Sequence, residues 1–184
     1  APLESSAVIT PEHGTGQKEF IVAQEHEDLR ASMEDWVKKE LHPHRNEWED
    51  TKWPDSAIQR AGELGYLGLC FPEEYGGQGG DYYYSLVRAE ALSYAGSGGL
   101  GMGFAVQTDM VLPPVHLLGT EEQKQKYLVP GIQGTKIGAL GITEPGAGSD
   151  VASIRTSAKR VDGGFLVNGS KTFITNGVRA DFMV

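Results

Sequence analysis

The run Ile142-Thr143-Glu144-Pro145-Gly146-Ala147-Gly148-Ser149-Asp150 concentrates residue types that hold a polar ligand. Its glycines let the backbone approach a flat molecule closely and free N–H groups to point at carbonyl or phosphate oxygens. Thr143 and Ser149 add hydroxyls that donate or accept. On these grounds alone a plain turn fits about as well. Glu144 lies inside the run and reads as a structural ion pair or hydrogen-bond acceptor, not as a base. Further on, Asn168-Gly169-Ser170-Lys171-Thr172-Phe173-Ile174-Thr175-Asn176 combines hydroxyls, two amides and one aromatic ring.

Other candidates carry less. Gly96-Ser97-Gly98-Gly99-Leu100-Gly101 matches G-x-G-x-x-G, but a dinucleotide site needs a strand before it, and Glu90 to Ala95 read as helix. Helix packing or a flexible connection accounts for it better. His42 and His44 flank Pro43 without further ligands, so no metal is expected. Glu73, Glu74 and Asp109 read as isolated surface or capping acids. Cys70 is the only cysteine and lies between Leu69 and Phe71, which suggests a buried, inert thiol in a reducing compartment. A net charge of −9 argues against non-specific binding to nucleic acid or anionic membranes. No apolar run approaches the roughly 18 residues of a membrane span. Hydrophobic content of 39% and charged content of 22% fit a folded chain of 184 residues.

The elements that must position these residues change character near Gly134. Residues 1–16 read as a loose lead-in and 17–134 as a helical domain. A first helix is expected from about Gln17 to Leu41, because Leu29, Met33, Trp36, Val37 and Leu41 share one face, and Pro43 ends it. A second fits Asp55–Leu64, with Asp55 as N-cap and Gly65 past its end. Asp81 caps a third, through about Ala95, with Leu86, Ala89 and Leu92 inward. Met102 to Leu118 follows, broken or kinked at Pro113-Pro114. Thr120 and Gln123 form a capping box for a helix through about Leu128.

From 135 to 184 the spacing is that of strands. Ile137, Ala139 and Gly141 alternate with Gly138, Leu140 and Ile142, and a strand should end at Thr143. Asp162-Gly163 and Asn168-Gly169 are both hairpin turn signals. Asp181 to Val184 reads as a further strand, so an unpaired edge, missing sequence or a partner chain is expected there. The fold class is α+β: an all-α helical bundle, then the start of an antiparallel β-barrel-like domain.

Thr143–Asp150 after a strand, with Asn168–Asn176 downstream at matching spacing, resembles the two signatures of the acyl-CoA dehydrogenase family. Leu64-Gly65-Tyr66-Leu67-Gly68-Leu69, Pro72-Glu73-Glu74-Tyr75-Gly76-Gly77 and Gly119 to Leu128 resemble its N-terminal helical domain. The resemblance runs from about Phe20 to Val184 and implies FAD as cofactor. Leu140, Ile142, Thr143, Gly148 and Ser149 match the first flavin-contacting segment, and Phe173, Ile174 and Thr175 the second. Thr143 would bond the pyrimidine end of the ring and Thr175 would reach toward N5. Phe173 departs from the tryptophan more usual there but still offers a face for stacking. Ser149 would also meet the pantetheine portion of the substrate. Met110 to Val115, with Met110 and Leu112 foremost, would floor an acyl pocket, although ordinary core explains each singly as well.

The implied reaction is α,β-dehydrogenation of an acyl-CoA thioester, with electron-transfer flavoprotein as acceptor. The family's carboxylate base would lie beyond Val184, so no catalytic residue is expected in this chain. A homotetramer in the bacterial cytoplasm or the mitochondrial matrix is implied. Acyl-CoA oxidases, nitroalkane oxidases and flavin monooxygenases share the fold and remain alternatives. So does a non-catalytic fragment or subunit that needs a partner chain.

Overall fold

The structure, a computed structural model, describes residues 7–9, 20–51 and 54–184. It is α+β, with helices as far as Ile132 and short strands after it. Of the lead-in, only 7–9 are described. They form β1 (Ala7–Ile9), which pairs antiparallel with β2 (Phe20–Val22). The first helix therefore starts later than expected. Gln17 to Glu19 lie outside the described residues, Phe20 to Val22 are strand, and α1 spans Gln24–Trp36. His26 marks its start, because its Nδ1 accepts the Ala23 N–H at 3.0 Å.

The helical path continues as a wide π turn over Val37–Leu41. At Pro43 it tightens into a 3-10 turn, His42–His44, and then runs on as α2 (Arg45–Asp50). Helix α3 spans Asp55–Glu63. Pro54, not Asp55, occupies its N-cap, and Asp55 sits in the first turn, where its charge still suits the helix dipole. Helix α4 spans Tyr82–Ser93, and the Asp81 side chain accepts the Tyr83 N–H as a cap should. Its inward face is Ser85, Val87, Arg88, Ala91 and Leu92. Leu86 and Ala89 point outward, because buried Arg88 fixes the rotation of the helix.

Helix α5 (Gly98–Ala105) passes through a π turn, Val106–Val111, into α6 (Leu112–Leu118). The irregularity expected at Pro113-Pro114 thus lies one turn upstream. Two prolines in the first turn of α6 cannot donate N–H groups to the preceding turn, and the wider π turn accommodates them. The Thr120–Gln123 capping box is present at 2.8 and 3.3 Å. Helix α7 (Glu121–Gln123) then extends through a π turn, Lys124–Leu128, to α8 (Val129–Ile132).

Met33, Trp36, Val37, Leu41, Ile58, Ala61, Leu67, Leu92, Leu100 and Phe104 form one buried cluster. Full burial of side chains this size is worth about 1.5–3 kcal/mol each before entropy is counted. A second cluster joins Phe71, Tyr75, Leu112, Leu128 and Ile132. At Gly134, with φ of 72°, a Cβ would lie 2.4 Å from the Ile58 carbonyl oxygen, so α3 meets the end of the helical part backbone to backbone.

Strand β3 is only Gly138–Ala139, shorter than the alternation suggests, and pairs parallel with β6 (Phe182–Met183). Asp162-Gly163 closes the hairpin of β4 (Ser157–Val161) and β5 (Gly164–Asn168), with Ser157 opposite Asn168. Asn168-Gly169 closes no hairpin. The chain there passes Thr156 so closely that a Cβ on Gly169 would lie 2.1 Å from its Oγ1. Among the described residues, no helix is long and apolar enough to cross a membrane.

Candidate functional site

Two loops meet beyond β3. The first runs from Leu140 to Asp150 and turns sharply, since Glu144 and Ala147 exchange backbone hydrogen bonds of 2.8 and 3.1 Å. The second follows β5 and carries Lys171 to Asn176. They are joined directly: the Thr172 N–H donates to the Thr143 carbonyl at 3.0 Å. Lys171 Nζ donates to the Ile142 carbonyl and to Glu144 Oε1, each at 2.9 Å. Thr143 and Phe173–Thr175, far apart in sequence, are thereby brought into neighbouring backbone.

Glu144 is buried and acts as the acceptor anticipated from the sequence. Its carboxylate accepts the Arg155 N–H at 2.8 Å, the Thr156 N–H at 2.9 Å, the Thr156 hydroxyl and Lys171 Nζ. The Thr156 hydroxyl, then the Arg155 N–H and the Lys171 ammonium, hold its carboxyl down to about 2.

Phe173 is the least expected feature of the second loop. Its φ is 55°, in the left-handed region that a bulky side chain avoids, and its ring is 95% exposed. Such strain, of order 1–3 kcal/mol, persists only where the surroundings impose it. Buried Asn176 helps to impose it: its Nδ2 donates to the Gly103 carbonyl at 3.1 Å, which ties the loop to α5. Thr143, Ile174 and Thr175 are half-buried, whereas Ile142, Gly148 and Ser149 are exposed. A Cβ at Gly146 or Gly148 would meet nothing within 4 Å, so the surface above them is open. A groove of about 330 Å³ borders the loop at Glu144, Gly146, Arg155 and Ser170.

The helical part is anchored to this region by Gln107, which is 0% exposed. It donates to the Gly131 and Lys136 carbonyls at 3.1 and 2.9 Å and accepts the Gly138 N–H at 2.8 Å. Nothing in the local pattern marked Gln107, and Asn176 was singled out only as the end of the second run, because the partners of both are remote in sequence. Lys171 was within reach of the pattern, as a cation inside one motif that could answer the acid in the other.

The acyl-pocket residues separate. Met110 is partly exposed, and Leu112 is fully buried in a cluster with Phe71, Leu128 and Ile132. Asp109 is not isolated: it accepts from Arg88 at 2.6 Å and from Ser85 at 3.2 Å. Two grooves flank the Arg88–Asp109 pair. One, of about 440 Å³, has Leu92, Met102 and Ala105 on its walls; the other, of about 370 Å³, has Phe71, Pro113 and Leu117. Cys70 is half-buried, and its thiol lies 3.1 Å from the Asp81 carbonyl.

A helical bundle leading into a β segment that presents two joined, glycine- and hydroxyl-bearing loops defines an acyl-CoA dehydrogenase type of chain. The sequence model of the acyl-CoA dehydrogenase N-terminal domain matches residues 23–135, and that of the middle domain matches 139–184. The chain belongs to the acyl-CoA dehydrogenase family. It is 39% identical over 165 residues to the long-chain specific acyl-CoA dehydrogenase, mitochondrial, of Mus musculus, covering 89% of this chain and 38% of that protein. The crystal structure of an acyl-CoA dehydrogenase from Geobacillus kaustophilus superposes with a TM-score of 0.84 and 42% identity, over 89% of this chain and 43% of that one. A glutaryl-CoA dehydrogenase from Mycobacterium smegmatis in complex with FADH2 gives 0.82 and 31%, over 88% and 42%. The chain thus spans less than half the length of these relatives.

Proposed function

We propose that the protein carrying this chain desaturates the α,β bond of an acyl-CoA thioester with FAD, and that this chain supplies one side of the flavin site. The observation that carries the reading is the junction at Thr172 and Thr143, which sets an outward, strained Phe173 ring beside hydroxyl-bearing backbone. These residues fit a flat, polar-edged ring system: an exposed aromatic face, two threonine hydroxyls and open backbone at Gly146 and Gly148. Leu140, Ile142, Thr143, Gly148 and Ser149 would hold one edge, and Phe173, Ile174 and Thr175 the other. The bound flavin supplies the acceptor for the β-hydride.

Within this chain, the Thr143 hydroxyl would hold the pyrimidine edge and Thr175 would reach toward N5. Ser149 would meet both cofactor and pantetheine, and Met110 and Leu112 would contribute to the apolar wall. Domain limits of 17–134 and 135–184 divide these duties. The α-proton passes to a carboxylate outside the two loops. Glu144 cannot serve, since its oxygens are committed to Arg155, Thr156 and Lys171. Electron-transfer flavoprotein is the proposed acceptor and a homotetramer the proposed assembly, in the bacterial cytoplasm or mitochondrial matrix. The test is anaerobic mixing of the FAD-loaded full-length protein with acyl-CoAs of graded chain length. Bleaching of the flavin by at least one thioester is expected, and no bleaching by any would refute the assignment. Rapid reoxidation by oxygen would move the protein to the oxidase or monooxygenase class.

A further inference from the structure

Glu144 and Lys171 sit one in each signature loop, and each side chain is engaged by the chain's own backbone and by the other. Glu144 reaches sideways to the start of the β4–β5 hairpin, where its two oxygens take the consecutive N–H groups of Arg155 and Thr156. Lys171 reaches across to the first loop, where its ammonium is shared between Glu144 and the Ile142 carbonyl. Three separate pieces of backbone, at 142–144, 155–156 and 171–172, therefore converge on one ion pair. The Lys171 side chain is 19% exposed and that of Glu144 is 7%, so solvent competes weakly for either charge.

We infer that the Glu144–Lys171 pair is a positioning clamp that fixes the spacing between Thr143 and Phe173–Thr175, and hence how tightly the site grips a flat cofactor. The inference rests on the flavin reading above. The clamp acts through peptide orientation. With its carbonyl held by Lys171, the Ile142–Thr143 peptide cannot rotate, so the Thr143 side chain keeps one direction. With Lys171 held by Glu144, the second loop cannot slide along the first, and the Thr172–Thr143 bond stays in register. The strained φ of Phe173 follows two residues after this anchor, where a displaced backbone would relax and turn the ring away.

The pair predicts a pattern that core damage would not give. In Glu144→Gln, the amide nitrogen can neither accept an N–H nor pair with the ammonium. Lys171→Met keeps the bulk of the side chain but releases the Ile142 carbonyl. FAD titration of the full-length protein, with the absorption spectrum of bound flavin and the melting temperature, reads the outcome. FAD dissociation constants should rise by about tenfold or more in each variant, with an altered flavin spectrum, as for a misplaced binding group. The double variant should be no worse than the poorer single one. A lower melting temperature with unchanged FAD affinity and spectrum would overturn the clamp. If Glu144→Gln fails to fold, Lys171→Met decides on the same readouts. Wild-type protein that binds no FAD would sink the flavin reading itself, a result distinct from variants that bind as well as wild type.

Discussion

The helical segment and the β segment are held together by different forces. Helices α1, α3, α4 and α5 share a continuous apolar core, and side-chain caps at Asp81, Ser97 and Thr120 satisfy the starts of α4, α5 and α7 locally. Every residue of β4 and β5 is exposed. The β segment adds Ile137 to that core and sets Phe182 against the second cluster, but β3 and the two loops are oriented by polar links: Gln107 on Gly138, Asn176 on Gly103, the Asp181 carboxylate on the Ile137 N–H, and the Glu144 group. Burial makes the first region stable. Directional bonds make the second specific, and specific placement is what loops that carry ligand contacts require.

The largest expected effect compares two phenylalanines. Phe104 is 1% exposed in the helical core, and Phe104→Ala should cost about 3–5 kcal/mol in urea unfolding. Phe165 is 61% exposed on β5, and Phe165→Ala should stay within about 0.5 kcal/mol. Equal losses would erase the contrast. Next comes the seam between the regions. Gln107→Leu leaves the Gly131 and Lys136 carbonyls and the Gly138 N–H without their partner, which should cost about 2–3 kcal/mol and speed hydrogen exchange at Gly138. An unchanged exchange rate there would show that the seam has other support.

The pH response follows from Glu144. Its folded carboxyl titrates at about 2 against an ordinary 4.5, so the folded state holds that proton less tightly than the unfolded state. Its contribution is complete above about pH 5 and is lost as pH falls from 4.5 through about 2. Unfolding free energy should therefore fall less steeply across that window in Glu144→Gln than in wild type; identical slopes would deny the carboxylate this role. The smallest effect is a gain. Gly101 lies within α5 and a Cβ there meets nothing within 4 Å, so Gly101→Ala should raise stability by about 0.5–1 kcal/mol.

Much of this was legible in the sequence, because local rules govern the parts that were read correctly. The Thr120–Gln123 box, the Asp81 cap, Gly65 after α3 and the Asp162-Gly163 turn each depend on residues a few positions apart. The misreadings have tertiary causes. Leu86 and Ala89 face outward because Arg88 finds Asp109 on a neighbouring helix. Asn168-Gly169 resembles a hairpin turn but is pulled alongside Thr156. At the candidate site, both loops could be located from residue order and Glu144 was legible as an acceptor, but the backbone groups that Glu144 and Lys171 bridge, and the Asn176 bond to α5, could not be, since those partners are remote in sequence.

The central claim is that the two loops form one side of a flavin site. The most direct measurement is FAD titration of the full-length protein against its Thr143→Val/Thr175→Val variant, with melting temperatures recorded for both. Wild type should bind FAD and the variant should bind it about tenfold or more weakly, at an unchanged melting temperature. Equal FAD affinity in the two proteins would contradict it.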